Sequence, residues 1–129
     1  MEIRQITILC VDDEPGILSS LRRSLCDDFT IVTATSAEEG SKALADNPLI
    51  DLVLSDYHMP GVDGFDFLTW CQHNYPQIVR YALTGYPDSA SMKEALRSGL
   101  VARVFAKPWD NDQIVSTLKK AIKDQEFWT

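Results

Sequence analysis

Short apolar runs alternate with segments of helical periodicity five times along this chain, and no other feature restricts its fold as tightly. The runs are "EIRQITILCV" (2–11), "FTIVTA" (29–34), "LIDLVLS" (49–55), "IVRYAL" (78–83) and "VARVFA" (101–106). Their β-branched and apolar content reads as strand, and the third is continuous in the way of a strand covered on both faces. Each is followed by a helix signal. Pro15 opens a stretch in which Ile17, Leu18, Leu21 and Leu25 share one face. Ser36, with Glu39 three residues on, is a capping box before "KALADN". "DGFDFLTWCQHNY" reads as a helix capped by Asp63, with Phe65, Leu68 and Cys71 inward. "PDSASMKEALRSG" is stopped by Gly99. The last helix takes Asp110 as N-cap and Gln113 at its third position, with Ile114, Leu118, Ala121 and Ile122 along one stripe.

The pattern is therefore (βα)5: an α/β, doubly wound, five-stranded parallel sheet in a single domain, built on right-handed crossovers. The small residues Ala34 and Thr35 at the end of the second strand suit an edge position. A chain of 129 residues can bury one well-formed core. A net charge of −7 argues against a grip on nucleic acid, which needs clustered Lys and Arg. No apolar run approaches the roughly 20 residues of a spanning helix, and the first ten residues lack a basic-then-apolar leader, so no membrane association is expected. Cys10, Cys26 and Cys71 are odd in number and widely spaced, which fits neither a disulfide framework nor a zinc cluster. Cys10 reads as a small core residue, and a reducing cytoplasm is the expected location.

In parallel sheets, sites form beyond the carboxyl ends of the strands. At those ends stand Asp12 and Asp13, then Asp56, then Thr84, then Lys107. Each alone is ordinary turn chemistry. Together they put three carboxylates, one hydroxyl and one ammonium on a single rim. Adjacent carboxylates such as Asp12 and Asp13 repel by roughly 3 to 4 kcal/mol at an effective dielectric near 20. A cation belongs there.

"VDDE", "DYHMPGVDG", "LTG" and "KPWD", in this order, resemble the receiver domain of two-component response regulators, from Ile3 to about Lys123 and so over essentially all of 1–129. "KPWD" with "LTGYPD" looks most like receivers attached to outputs such as cyclic-di-nucleotide phosphodiesterases or transcriptional activators. The resemblance implies a flavodoxin-like strand order 2-1-3-4-5, with Asp56 as phosphoacceptor. It implies Mg²⁺ held by Asp12, Asp13, Asp56 and the backbone carbonyl of His58. Lys107 pairs with the phosphoryl group, Thr84 donates its hydroxyl to it, and the Lys107–Pro108 bond is cis. On this reading Mg²⁺ and Lys107 balance the three carboxylates. The implied donor is a sensor histidine kinase, a phosphotransfer protein or a small phosphoanhydride. The domain is then a signalling element rather than an enzyme, catalysing its own phosphorylation and slow dephosphorylation. Helix 4, strand 5 and helix 5 form the surface that switches an output domain or effector, or that pairs in a homodimer, with Lys93, Glu94, Arg97 and Arg103 exposed there. The chain departs from the family at one point: the usual aromatic three residues before the lysine is Val104. Phe105, one along, faces the other side of a strand and is no simple substitute.

Other candidates carry blander readings. The His58 ring is a poor ligand for a hard cation, His73 reads as surface, and Glu14 serves either the metal indirectly or the helix dipole. His58 and Tyr86, each two residues past a site residue, are expected to slow the access of water. Trp109 reads as packing and as a convenient fluorescence reporter. Met59 and Pro60 shape a loop, and Trp70 and Trp128 serve packing or an interface. Three rival functions fit the residues less well. An aspartate-nucleophile phosphatase places a second Asp two residues after the first, where this chain has Tyr57 and His58. A flavin or nucleotide binder needs a Gly- or hydroxyl-rich loop after strand 1, where "VDDEPG" repels phosphate. A receiver that docks without phosphorylation has no need of the full acid, Thr and Lys set.

Overall fold

The computed structural model describes residues 5–59, 61 and 63–128, with side chains as far as 120. Strands and helices alternate throughout: β1 (Thr7–Val11), α1 (Pro15–Leu25), β2 (Thr30–Ala34), α2 (Ala37–Asp46), β3 (Ile50–Asp56), α3 (Gly64–Asn74), β4 (Val79–Thr84), α4 (Ala90–Arg97), β5 (Arg103–Ala106) and α5 (Asn111–Trp128). The sheet is parallel, in the order β2-β1-β3-β4-β5, with β2 at an edge as its small C-terminal residues suggested. The sequence expectations at Ile3 and Pro60 lie outside the described residues, and those on the side chains of Ala121, Ile122 and Trp128 lie outside the described side chains.

Period-2 alternation splits each central strand between two cores. Ile8, Cys10, Leu52, Leu54, Tyr81, Leu83 and Phe105 pack with Leu18, Leu21 and Leu25 of α1 and Ile114 and Leu118 of α5. Leu9, Val11, Val53 and Ala82 face the other way, against α2, α3 and α4 through Leu44, Phe67, Leu68, Met92 and Ala95. This double burial is why β1 and β3 read as unbroken apolar runs.

The capping signals act largely as read. Ser36 Oγ accepts from the Glu39 amide at 3.1 Å, while the Glu39 carboxylate accepts from the Thr35 amide at 2.9 Å, one residue before the cap. Asp63 accepts from Phe65 N at 3.0 Å, Asp110 accepts from Gln113 N at 2.9 Å, and Gly99 closes α4 at φ +81°. Pro15 starts α1.

Phe65 departs from expectation. It is 45% exposed, and the buried face of α3 is Gly64, Phe67, Leu68 and Cys71. Phe65 falls in the first turn, level with the end of β3, so it meets the edge of the Tyr57 ring (centroids 6.1 Å apart) instead of the core. Among the described residues no helix is long and apolar enough to cross a membrane.

Candidate functional site

The strand register brings the four loop ends together. Val11 pairs with Ser55, so Asp12 comes level with Asp56, which pairs in turn with Leu83. Thr84 follows Leu83 and pairs with Ala106, after which comes Lys107. Backbone hydrogen bonds carry the registration past the last ladder rungs: Asp12 N donates to Ala34 O (3.1 Å), Tyr57 N to Leu83 O (3.1 Å) and Lys107 N to Thr84 O (2.8 Å).

One oxygen from each of Asp12, Asp13 and Asp56 lies within 4.8 Å of the others. Asp12 is wholly buried and Asp56 is 5% exposed, while Asp13 faces solvent. Asp12 Oδ1 accepts from the Glu14 amide at 2.9 Å. Its Oδ2 is buried without a well-aligned hydrogen bond, although the Lys107 ammonium stands 2.7 Å away. Asp56 Oδ1 accepts from the His58 amide at 3.1 Å, and its Oδ2 lies 3.2 Å from Lys107 Nζ.

Burial pushes the Asp56 carboxyl above the usual carboxylate range, and the neighbouring Asp12 adds to this; the His58 amide and the Lys107 ammonium pull the other way. For Lys107, burial is the largest single influence and disfavours the charge. The two carboxylates together outweigh it and hold the group above the ordinary lysine range. Thr84 is wholly buried, and its Oγ1 accepts from the Tyr86 amide at 3.0 Å, so its own proton remains available to donate.

The chemistry of this donor set fits a hard divalent cation. Three carboxylates at one point, one of them with a buried and poorly satisfied oxygen, supply oxygen ligands of the kind Mg²⁺ and Ca²⁺ take. The His58 side chain is exposed and packs edge-on to Tyr57 (5.3 Å) and Tyr86 (6.3 Å), so its ring belongs to an aromatic row beside the acceptor. Tyr86 is 72% exposed.

Val104 packs toward the α2–α4 core, and Phe105 is buried on the opposite face against Tyr81, ring centroids 5.8 Å apart. The strand places them on opposite sides, as its alternation requires. Lys93, Glu94, Arg97 and Arg103 are exposed, with Glu94 and Arg97 paired to each other at 2.6 Å. His73 is exposed, and Trp70 stacks on Phe67 at 6.3 Å with 38% of its surface still open.

One positioning feature escaped the sequence reading. A Cβ on Gly64 would sit 2.0 Å from the Asp56 carbonyl oxygen and 2.7 Å from Tyr57 Cα. Only glycine lets α3 begin this close to the segment carrying Asp56. The "DG" pair seven and eight residues after Asp56 was the available signal, but it reads equally well as a plain turn.

A family model described as the response regulator receiver domain matches residues 8–119. The chain is 34% identical over 125 residues to the hydrogenase transcriptional regulatory protein HoxA of Cupriavidus necator, covering 97% of this chain and 26% of that protein. It therefore spans about a quarter of the length of that relative. The signal receiver domain of an HD domain-containing protein from Pseudomonas fluorescens superposes with a TM-score of 0.87 at 32% identity, covering 98% of this chain and 93% of that one. A response regulator receiver domain protein from Clostridium thermocellum also gives a TM-score of 0.87, at 28% identity, covering 96% of this chain and 99% of that one.

Proposed function

The chain belongs to the response regulator receiver family, a family of signalling domains, and on that premise we propose that Asp56 accepts a phosphoryl group from a sensor histidine kinase, a phosphotransfer protein or a small phosphoanhydride. A single observation carries the reading. The oxygens of Asp12, Asp13 and Asp56 gather within 4.8 Å, with the Lys107 ammonium 2.7 Å from Asp12 and 3.2 Å from Asp56.

In the proposed step an Asp56 oxygen forms a bond to phosphorus. The donor's P–N or P–O bond breaks, and its electron pair leaves with the donor group, which takes up a proton. Asp12, Asp13, Asp56 and the His58 carbonyl oxygen would hold Mg²⁺, which would supply positive charge where an anionic group must approach an anionic acceptor. Lys107 is already placed to neutralise charge on the incoming oxygens. The transfer needs little further covalent help, because positioning and charge supply most of the acceleration. Thr84 donates its hydroxyl to a phosphoryl oxygen once its loop moves inward. The aspartyl phosphate carries roughly two negative charges, and its new contacts favour one arrangement of the α4–β5–α5 surface over another. That surface passes the signal to an output domain, an effector or a second copy of the domain, in the cytoplasm. The greater length of HoxA supports an output beyond residues 1–129.

His58 and Tyr86 cover the acceptor and slow its hydrolysis. A His58→Gly, Tyr86→Ala double variant is expected to lose its phosphoryl group several-fold faster than the wild type, followed as phosphate release; an unchanged rate contradicts this role. The site as a whole is tested by a crystal structure with Mg²⁺ and beryllium fluoride. The reading expects beryllium on Asp56, with fluorine atoms in contact with Lys107 Nζ and Thr84 Oγ1. Beryllium bound elsewhere, or Lys107 turned away from it, overturns the assignment.

A further inference from the structure

Lys107 is a flexible four-carbon stem, yet its ammonium must sit between two buried carboxylates. On its N-terminal side the loop is fixed by the Lys107 amide on Thr84 O (2.8 Å). On its C-terminal side, two residues along, the fixing comes from Trp109. The indole N–H donates to Ser24 Oγ on α1 at 3.2 Å and to Asn111 Oδ1 at the start of α5 at 3.0 Å. The Ser24 hydroxyl in turn reaches Asn111 Oδ1 at 2.5 Å, with the Ser20 carbonyl as its other acceptor at 3.0 Å. One polar node therefore ties the β5–α5 loop, the first turn of α5 and the last turn of α1.

Close packing does not do this work alone. Beside the node lies an open cleft of about 630 Å³ bordered by Ile17, Ser20, Ser24, Lys107, Trp109 and Asn111. Trp109 is only half-buried against the α1/α5 core. With open space on that side, the loop is kept against α1 by directional bonds from the indole nitrogen. We propose that Trp109, through Ser24 and Asn111, is a positioning residue that sets where the Lys107 ammonium stands relative to Asp12 and Asp56. The role deepens the proposed phosphorylation function and rests on it for its consequence, though not for its geometry. A displacement of about 1 Å at a reacting centre can cost on the order of a hundredfold in rate, so a modest loosening is measurable.

Two measurements test it. The first follows the Lys107 ammonium by nitrogen-detected NMR in the full chain, without any phosphoryl donor. The expected result is an ordered signal, slow to exchange with water, in the wild type, and a faster-exchanging, more mobile one in Trp109→Phe and in the Ser24→Ala, Asn111→Ala pair. The second is the rate of phosphorylation by acetyl phosphate with Mg²⁺. Both variants are expected to be about five- to tenfold slower, and Trp109→Phe made in a Lys107→Ala background is expected to add no further slowing. Should Trp109→Phe fail to fold, the Ser24/Asn111 pair, which keeps the indole, decides the matter. An unaltered Lys107 signal in both variants overturns the proposal, as does a slowing that persists in full when Lys107 is absent. If the wild type takes no phosphoryl group at all, the functional reading fails, and the positioning role is judged on the Lys107 signal alone.

Discussion

Asp12 and Asp13 illustrate how a residue pair can be legible in its need for positive charge while one of its partners is not. Their adjacency signals a need for positive charge, and in the fold the first cation to meet Asp12 is Lys107 at 2.7 Å, contributed from the far end of the chain. Asp13 faces solvent, and among the described residues no ion pair neutralises it. Replacing Asp13 by Asn in metal-free protein is therefore expected to raise the melting temperature slightly, since one of three crowded anions is gone; for an exposed group the gain is about 1 kcal/mol or less. With millimolar Mg²⁺ the order narrows or reverses, because a cation that binds the folded state stabilises it by mass action and the wild type holds it better. Paired thermal melts with EDTA and with Mg²⁺ check this, and a wild-type melt indifferent to Mg²⁺ contradicts it. The Trp109 node shows the opposite limit. Its bond to Ser24 joins residues 85 positions apart, and no local pattern in the chain announces it.

At the scale of single elements, what was readable is what is local. Ser36, Asp63, Asp110 and Gly99 act on amides or turns within a few residues, so their roles follow from spacing alone. Phe65 failed because periodicity gives the face of α3 but not how far its first turn stands beyond the sheet. Gly64 failed for a related reason: its need for a bare Cα comes from the Asp56 carbonyl packed against it, a contact between a helix start and a strand end. Gly64→Ala puts a methyl group into backbone that cannot move without shifting Asp56. It is expected to lower stability by about 1 to 3 kcal/mol and to weaken metal binding as well, measured by urea unfolding and by Mg²⁺ titration of Trp109 fluorescence. A stable variant with wild-type metal affinity contradicts this account of the α3–β3 contact.

For the whole molecule, the βαβ alternation was legible because burial on both faces imprints an apolar run on the central strands β1 and β3, and the edge strand because β2, only partly buried, ends in small residues. The same double burial makes an alkaline prediction. Burial pushes the thiols of Cys10 and Cys71 and the phenol of Tyr81 up to about 12 each. The unfolded chain releases those protons near 9 for the thiols and 10 for the phenol, while the folded chain keeps them. Folding stability is therefore full below about pH 9 and is lost as pH rises toward 12, by about 1.4 kcal/mol per pH unit for each group in its window. Lys107, held above the ordinary lysine range, adds loss of the same sign at the alkaline end. Urea unfolding in the presence of a reductant, between about pH 8 and pH 10.5, is expected to show this fall; a flat profile contradicts it. The exposed Cys26 is expected to react with thiol reagents in the native protein well before the other two.

The claim on which these scales converge is that a buried aspartate at the end of β3 is a metal-assisted phosphoryl acceptor. Incubation with acetyl phosphate, followed by peptide mapping under conditions that preserve acyl phosphates, tests it most directly. The account predicts one phosphoryl group, located on Asp56, absent when EDTA removes the metal and absent in Asp56→Asn. A phosphoryl group on another residue, or incorporation at Asp56 that is indifferent to EDTA, contradicts it.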